Sequence, residues 1–327
     1  MFSWIVKIPD TNVDLKERDT LVSDVLDLGR NLPITAEYPL VLAWDRSPYS
    51  CCLFKHDSFS RSYEMVAHMN FFPREVVDQS GDSIGTVALV ANVSTKKIYQ
   101  GRGIMTDFFR LMQTRATLEG HMGILLWSDQ GSFYHKMGFR KVGREYHIQL
   151  TRDRLVLKNA AASGMKETGR SDICIDETAY VDFTASEIQA LFDFRYPVTY
   201  SLRRSKEEYR KLLKIPNTYL AHYGRDFKRG FALMNRGSDF FGVIHEWGAP
   251  QPSALLELTS SLVDHLGLGE ATILMPYSID PLFLQEIAAS SYVKEHDLGF
   301  FWSPDSERKV PFNDTRGLFF VWGMDSI

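Results

Sequence analysis

The sequence predicts two mixed α/β units in tandem, and three observations carry that expectation. Strand-like and helix-like segments follow one another in the same order in both halves of the chain. A small, polar stretch, KNAAASGMKETGRSD at 158–172, separates those halves and reads as a linker or a long surface loop. The chain has 327 residues, more than one ordinary core accommodates and comfortable for two. The expected division is therefore 1–158, a linker at 159–172, and 173–327.

In the first half the strands are SYEMVAHMNFFPREVV, SIGTVALVANVS, GILLWS and REYHIQLT, rich in β-branched and aromatic residues. Between the second and third, residues 103–119 predict a helix. Met105, Phe108, Phe109, Met112 and Ala116 recur there at helical spacing as one apolar stripe, and Gly120 supplies the stop. In the second half NTYLAHYGR and RGFALMNRGSDFFGVIHEWG predict strands, with a turn at Arg236, Gly237 and Ser238. A helix opened by Pro252 follows over 253–266, then a short buried strand ATILMP, a helix PLFLQEIAAS and a closing strand GLFFVWG. The matching order of strand, strand, helix, strand, helix, strand reads as a duplication at the level of fold.

Composition narrows the function classes. Hydrophobic residues are 44% and charged residues 24% of the chain, as in an ordinary globular protein. A net charge of -4 argues against nucleic acid as the main partner, so an anionic small ligand has to be held by local donors. Cys51, Cys52 and Cys174 have no zinc-like spacing and read as reduced thiols, and no metal is expected. Asp10, Asp14 and Glu17 stand too early for a secretory signal. No apolar run approaches the roughly 20 residues that a membrane span needs. A cytoplasmic protein without a membrane partner is expected.

The chemistry lies in VSTKKIYQGRGIMTDFF at 93–109. A strand ends near Ser94, a short basic loop follows, and Gln100-Gly101-Arg102-Gly103 opens the helix. Glycines at 101 and 103 let the backbone turn sharply and approach a ligand, while the first helical turn presents unpaired N–H groups and the positive end of the dipole. That is a cradle for a diphosphate. Lys96, Lys97 and Arg102 add positive charge to it, or are solvated surface charges.

This segment resembles the Q/R-x-x-G-x-G/A signature of the GNAT N-acetyltransferases at Gln100 and Gly103, with Met105 where the family has glycine or alanine. Further on, GILLWSDQGSFYHKMGFRKVGRE resembles the family's next strand and its F-Y-x-x-x-G-F motif, at Phe133, Tyr134, Gly138 and Phe139. Upstream, EYPLVLAWDRSPYSCCLFKHD resembles the entry of tandem GNAT proteins of the enhanced-intracellular-survival and mycothiol synthase groups. The resemblance covers residues 36–150. It implies tandem GNAT folds and acetyl-CoA as cosubstrate, with direct transfer of the acetyl group to an amine.

By the same resemblance, the backbone at Val93, Ser94 and Thr95 pairs with the pantetheine arm and points an N–H at the thioester oxygen. The loop and helix start at Gly101, Arg102, Gly103, Ile104, Met105 and Thr106 hold the diphosphate, with Gln100 completing the signature. Asp129 and Gln130 stand where family members touch the cofactor. Tyr134 is the expected general acid, since a phenol is protonated at neutral pH and can protonate the departing thiolate. The general base stays open among Glu64, His68, the terminal carboxylate of Ile327 and a water. The second half lacks the signature, and in HEWGAPQPSALLEL Pro250 and Pro252 remove donors where a diphosphate would need them. That unit is read as a degenerate copy.

Two other readings stand beside the N-acetyltransferase: the same fold with another acyl donor, and a non-enzymatic CoA-binding regulatory or interaction module. The acceptor, a small-molecule or peptide amine, is not specified. Aromatic residues around Tyr38, Trp44 and Tyr49, and around Phe192 and Tyr196, line an acceptor pocket or belong to the core. A homo-oligomer is also left open.

Overall fold

A computed structural model describes residues 2–26, 32–155, 172–289, 291–305 and 318–323. The expected linker lies outside these residues except for Asp172. The chain forms two compact units: one comprises residues 1–142 and 299–313, the other 143–298 and 314–326.

The first unit contains β1 (Phe2–Lys7), α1 (Asn12–Leu26), α2 (Ile34–Glu37), β2 (Ser50–Asp57), β3 (Ser62–Asp78), β4 (Ser83–Thr95), α3 (Ile104–Leu118), β5 (Ile124–Leu126), α4 (Gly131–His135) and β6 (Arg140–Val142). Its sheet is completed by β15 (Gly299–Trp302), in the order β1-β2-β3-β4-β5-β15-β6. All neighbours are antiparallel except β4 and β5. The expected stripe on α3 is what holds that helix to the sheet: Phe108, Phe109, Met112 and Ala116 are buried and Met105 packs at the edge of the same core. Around Phe109 the rings of Phe133, Tyr134 and Phe139 stand edge-on at 5.6–6.2 Å, the geometry aromatic quadrupoles favour. On α1 the buried positions are Leu15, Arg18, Leu21 and Val22. Arg18 is fully buried and donates to the Ser50 hydroxyl at 3.1 Å and the Leu42 carbonyl at 2.6 Å.

The second unit contains β7 (Glu145–Thr151), β8 (Cys174–Glu177), α5 (Ala185–Phe194), β9 (Tyr200–Leu202), α6 (Lys206–Leu213), β10 (Tyr219–His222), β11 (Phe231–Arg236), β12 (Asp239–Gly248), α7 (Pro252–His265), β13 (Glu270–Pro276), α8 (Pro281–Ala288) and β14 (Tyr292–His296). Capping boxes at Thr184 with Glu187 and Ser205 with Glu208 start α5 and α6. Pro252 starts α7, its missing N–H being one the first turn leaves unpaired in any case. The sheet runs β8-β10-β11-β12-β13-β7-β14, with β12 and β13 parallel.

Both sheets therefore have one plan: four antiparallel strands, a parallel fifth reached through a helix, and an inserted strand between the fifth and sixth. The inserted strand is β15 in the first unit and β7 in the second, so each sheet takes it from the other half of the chain. A single cut at 159–172 does not separate the two sheets, because it parts β7 from both of its partners. The expected closing strand GLFFVWG is also replaced. Among its described residues, Phe319 forms an isolated bridge with Tyr200 in place of a strand, and the unexpected pair β14 and β15 supplies the late strands.

A buried carboxylate organises the second unit. Glu246 accepts from Arg204 at 3.0 Å through both oxygens and from the Tyr209 hydroxyl at 2.9 Å, with the Arg195 guanidinium 3.6 Å away. Glu246 and Arg204 are fully or almost fully shielded from water. Removing one partner leaves uncompensated buried charge, so Glu246→Ala is expected to lower stability by about 3–5 kcal/mol, read as a fall in the urea midpoint.

Candidate active site

The first unit opens where its two parallel strands part. β4 and β5 pair at Ala88 with Ile124 and at Leu89 with Leu125, and no further. Just beyond, β4 bulges. Ser94 stands opposite His68 and Ala91 opposite Asn70, so Asn92 and Val93 together face the single residue Met69 of β3. Asn92 turns the chain with φ +50°, a left-handed conformation that asparagine tolerates better than most residues. A cavity of about 950 Å³ lies in this gap.

Its walls bring most of the expected residues together. Val93 and Thr95 come from β4, Gln100 and Gly101 from the loop, Met105 from α3, and Asp129, Gln130, Phe133 and Tyr134 from the turn after β5 and from α4. Gly101 and Gly103 have φ +73° and +78°. A Cβ built on either meets no protein atom within 4 Å, so glycine is required here by the backbone and leaves open space beside it. Gly103 is the N-cap of α3 and offers no capping side chain, which leaves the first N–H groups of the helix available to a ligand. Gln100 donates to the Thr95 carbonyl at 3.0 Å and ties this loop back to the strand. Met105 occupies the family's small-residue position by packing partly into the core while still lining the cavity.

Tyr134 stands in the wall, only 5% exposed, held by Phe109, Phe133, Phe139 and Phe300. Burial pushes its phenol up to about 12, against the opposing effect of a hydrogen bond with Ser128, and the Asp129 carboxylate adds to the rise.

Other expected residues are placed elsewhere. Ser94 is fully buried with its hydroxyl donating to the Asn92 carbonyl at 3.3 Å, because alternation along the strand turns it away from Val93 and Thr95. Gly103, Ile104 and Thr106 lie at the helix start without lining the cavity, and the exposed Arg102 lies over the Tyr99 ring at 5.7 Å. Lys96 does not add charge to the cradle: it pairs with Glu17 at 3.0 Å and Glu64 at 3.4 Å. Glu64 also accepts from the Tyr99 hydroxyl at 2.7 Å, and neither it nor His68 lines the cavity. His68 is fully buried, with burial depressing its imidazole to about 3. Ile327 lies outside the described residues. Of the aromatic candidates for an acceptor pocket, Tyr38 lines the cavity, whereas Tyr49 packs on Phe72 and Phe192 on Tyr209. Val25 and Leu26, at the end of α1, join Tyr38 there, as do Asn92 and Trp127. None of these four carries a motif; only the strand and helix ends they occupy mark them.

In the second unit the corresponding gap is filled. β12 and β13 pair at Val243 with Thr272 and Ile244 with Ile273, and beyond them the Trp247 indole donates to the Leu274 carbonyl at 2.9 Å. Trp247 is fully buried against Tyr196, Phe283 and Trp322. Aromatic side chains thus occupy the space that is open in the first unit, and proline begins the helix behind it.

No protein-family model matches the sequence, and no curated protein matches it. Solved structures do. A conserved Enterococcus faecalis protein of unknown function, named as a probable N-acyltransferase, superposes with TM-score 0.61 at 12% identity, covering 92% of this chain and 72% of that one. A GCN5-related N-acetyltransferase from Anabaena variabilis gives 0.58 at 12%, covering 92% and 72%. Eis1 from Mycobacterium abscessus gives 0.57 at 14%, covering 93% and 74%. At such identities the likeness establishes the fold: this chain has the fold of the GNAT N-acetyltransferases. Among the described residues no helix is long and apolar enough to cross a membrane.

Proposed function

We propose that the chain is an acetyl-CoA-dependent N-acetyltransferase whose reaction takes place in the first unit. One observation carries the reading. The gap between β4 and β5 is bounded by a strand bulge, a glycine-turned helix N-terminus and a buried, protonated tyrosine. The N-terminal turn of α3 suits the diphosphate by charge and by donor geometry. The backbone of β4 from Val93 suits the pantetheine amides, and Val25, Leu26 and Tyr38 bound the space left for the acceptor.

Acetyl-CoA supplies the thioester. The acceptor nitrogen forms a bond to the thioester carbon, negative charge gathers on the carbonyl oxygen, and the Val93 N–H, on the strand that walls the cavity, is the donor assigned to stabilise that charge. The C–S bond then breaks and its electron pair leaves on sulfur, which takes the proton of the Tyr134 hydroxyl. The nitrogen loses its proton to water, since Glu64 and His68 are engaged elsewhere, and water returns a proton to the Tyr134 oxygen. The acceptor is a small-molecule or peptide amine. The filled gap gives the second unit a structural part in this scheme.

Saturating acetyl-CoA is expected to raise the unfolding midpoint, with about 2.7 kcal/mol of stabilisation at one hundred times Kd. Calorimetry gives the Kd, and thiol release across a panel of amines identifies the acceptor. Absence of heat on titration of folded protein with acetyl-CoA overturns the enzyme reading.

A further inference from the structure

The left-handed turn at Asn92 is held from behind. The Asn92 carbonyl accepts from the His68 ring at Nδ1, 3.0 Å away, and from the Ser94 hydroxyl at 3.3 Å. A carbonyl can only accept, so Nδ1 carries the proton, and the imidazole stays neutral because burial holds it at about 3. The other ring nitrogen has no hydrogen-bond partner among the described residues. A fully buried polar group that makes one bond and leaves its second atom unmatched costs stability, so the bond it does make calls for a purpose. The Asn92 side chain is fixed as well, donating to Asn70 at 2.9 Å.

The peptide between Asn92 and Val93 is planar and trans, so its carbonyl oxygen and its N–H point in opposite directions. Pinning the oxygen toward His68 turns the Val93 N–H the other way, toward the gap whose wall Val93 lines. Hydrogen bonds to the carbonyl also polarise the same amide and strengthen its N–H as a donor.

We propose that His68 is a positioning residue: it fixes the Asn92–Val93 peptide so that the Val93 N–H meets the thioester oxygen. The inference rests on the acetyltransferase reading above. It gives His68 a part in the reaction without any proton transfer.

The test needs no knowledge of the acceptor. Acetyl-CoA labelled with ¹³C at the acetyl carbonyl is bound to the full chain, and the infrared carbonyl band is compared with that of free acetyl-CoA. Polarisation by an N–H donor moves the band to lower frequency. His68→Asn places an amide N–H near the site of Nδ1 and is expected to keep the displacement. His68→Gln places it nearer Nε2 and is expected to lose about half of it or more, with the Kd for free CoA within about twofold of the parent. A residue needed only for packing would not separate these two variants at equal CoA affinity. If the parent binds acetyl-CoA with a displaced band and His68→Gln displaces it equally, the inference falls and the enzyme reading stands. If the parent binds no acetyl-CoA, both fall. Should His68→Gln not fold, His68→Asn decides alone: a lost displacement with CoA affinity intact overturns the proposal.

Discussion

Tyr134→Phe is expected to lower kcat by about a hundredfold and to leave the Kd for acetyl-CoA within about twofold, a size typical of losing one general acid. The substitution removes a single oxygen. The ring keeps its contacts with Phe109, Phe139 and Phe300, so neither the wall of the cavity nor the core behind it collapses. What is lost is the proton for the leaving sulfur. The pH profile separates this role from that of a base. Burial pushes the phenol up to about 12, so the hydroxyl stays protonated until well above pH 10. A fall of kcat between pH 8 and 10 therefore belongs to another group, and Tyr134→Phe is expected to keep whatever limb the parent shows there. An unchanged kcat in Tyr134→Phe would remove the tyrosine from the mechanism and leave the thiolate to be protonated by water.

Helix α3, which Gly103 begins, was the most legible part of the molecule, because its stripe and its stop are local. Phe108, Phe109, Met112 and Ala116 share a face by helical spacing alone, and they are the residues the structure buries. The partner helix α1 was not legible, and the reason is Arg18. It stands in the stripe with Leu15, Leu21 and Val22, so a charged residue interrupts the pattern, and its burial is made tolerable by the Asp19 carboxylate beside it together with hydroxyl and carbonyl acceptors from distant segments.

The exchange of β7 and β15 was hidden for a different reason. The sequence shows that REYHIQLT is a strand, but which sheet receives it depends on pairing with Glu270–Pro276 and Tyr292–His296, more than a hundred residues away. The chemistry divides the same way. Motif spacing singled out Gln100 and Tyr134, which the structure brings to one cavity, whereas the basic character of Lys96 pointed to phosphate until its partners Glu17 and Glu64 were known. His68 could be read as a base or as core. The bulge at Asn92, whose carbonyl the His68 ring meets, follows from register and not from residue type.

Gly103→Ala should weaken acetyl-CoA binding by about tenfold or more, and Gly120→Ala should not weaken it at all. The pair is informative because the two glycines are matched. They stand at opposite ends of α3 with φ +78° and +75°, and a Cβ at either meets no protein atom within 4 Å. Each alanine then costs the same left-handed strain, about 1–2 kcal/mol, without a clash inside the protein. Both variants should accordingly show similar losses in urea midpoint. Only at Gly103 does the new methyl group stand beside the unpaired N–H groups of the helix start, where a diphosphate has to approach closely. Any difference in calorimetric Kd between the two therefore measures that approach and not backbone strain. Equal affinities would mean that the turn is needed by the chain alone, and the diphosphate would have to be sought along another wall of the gap.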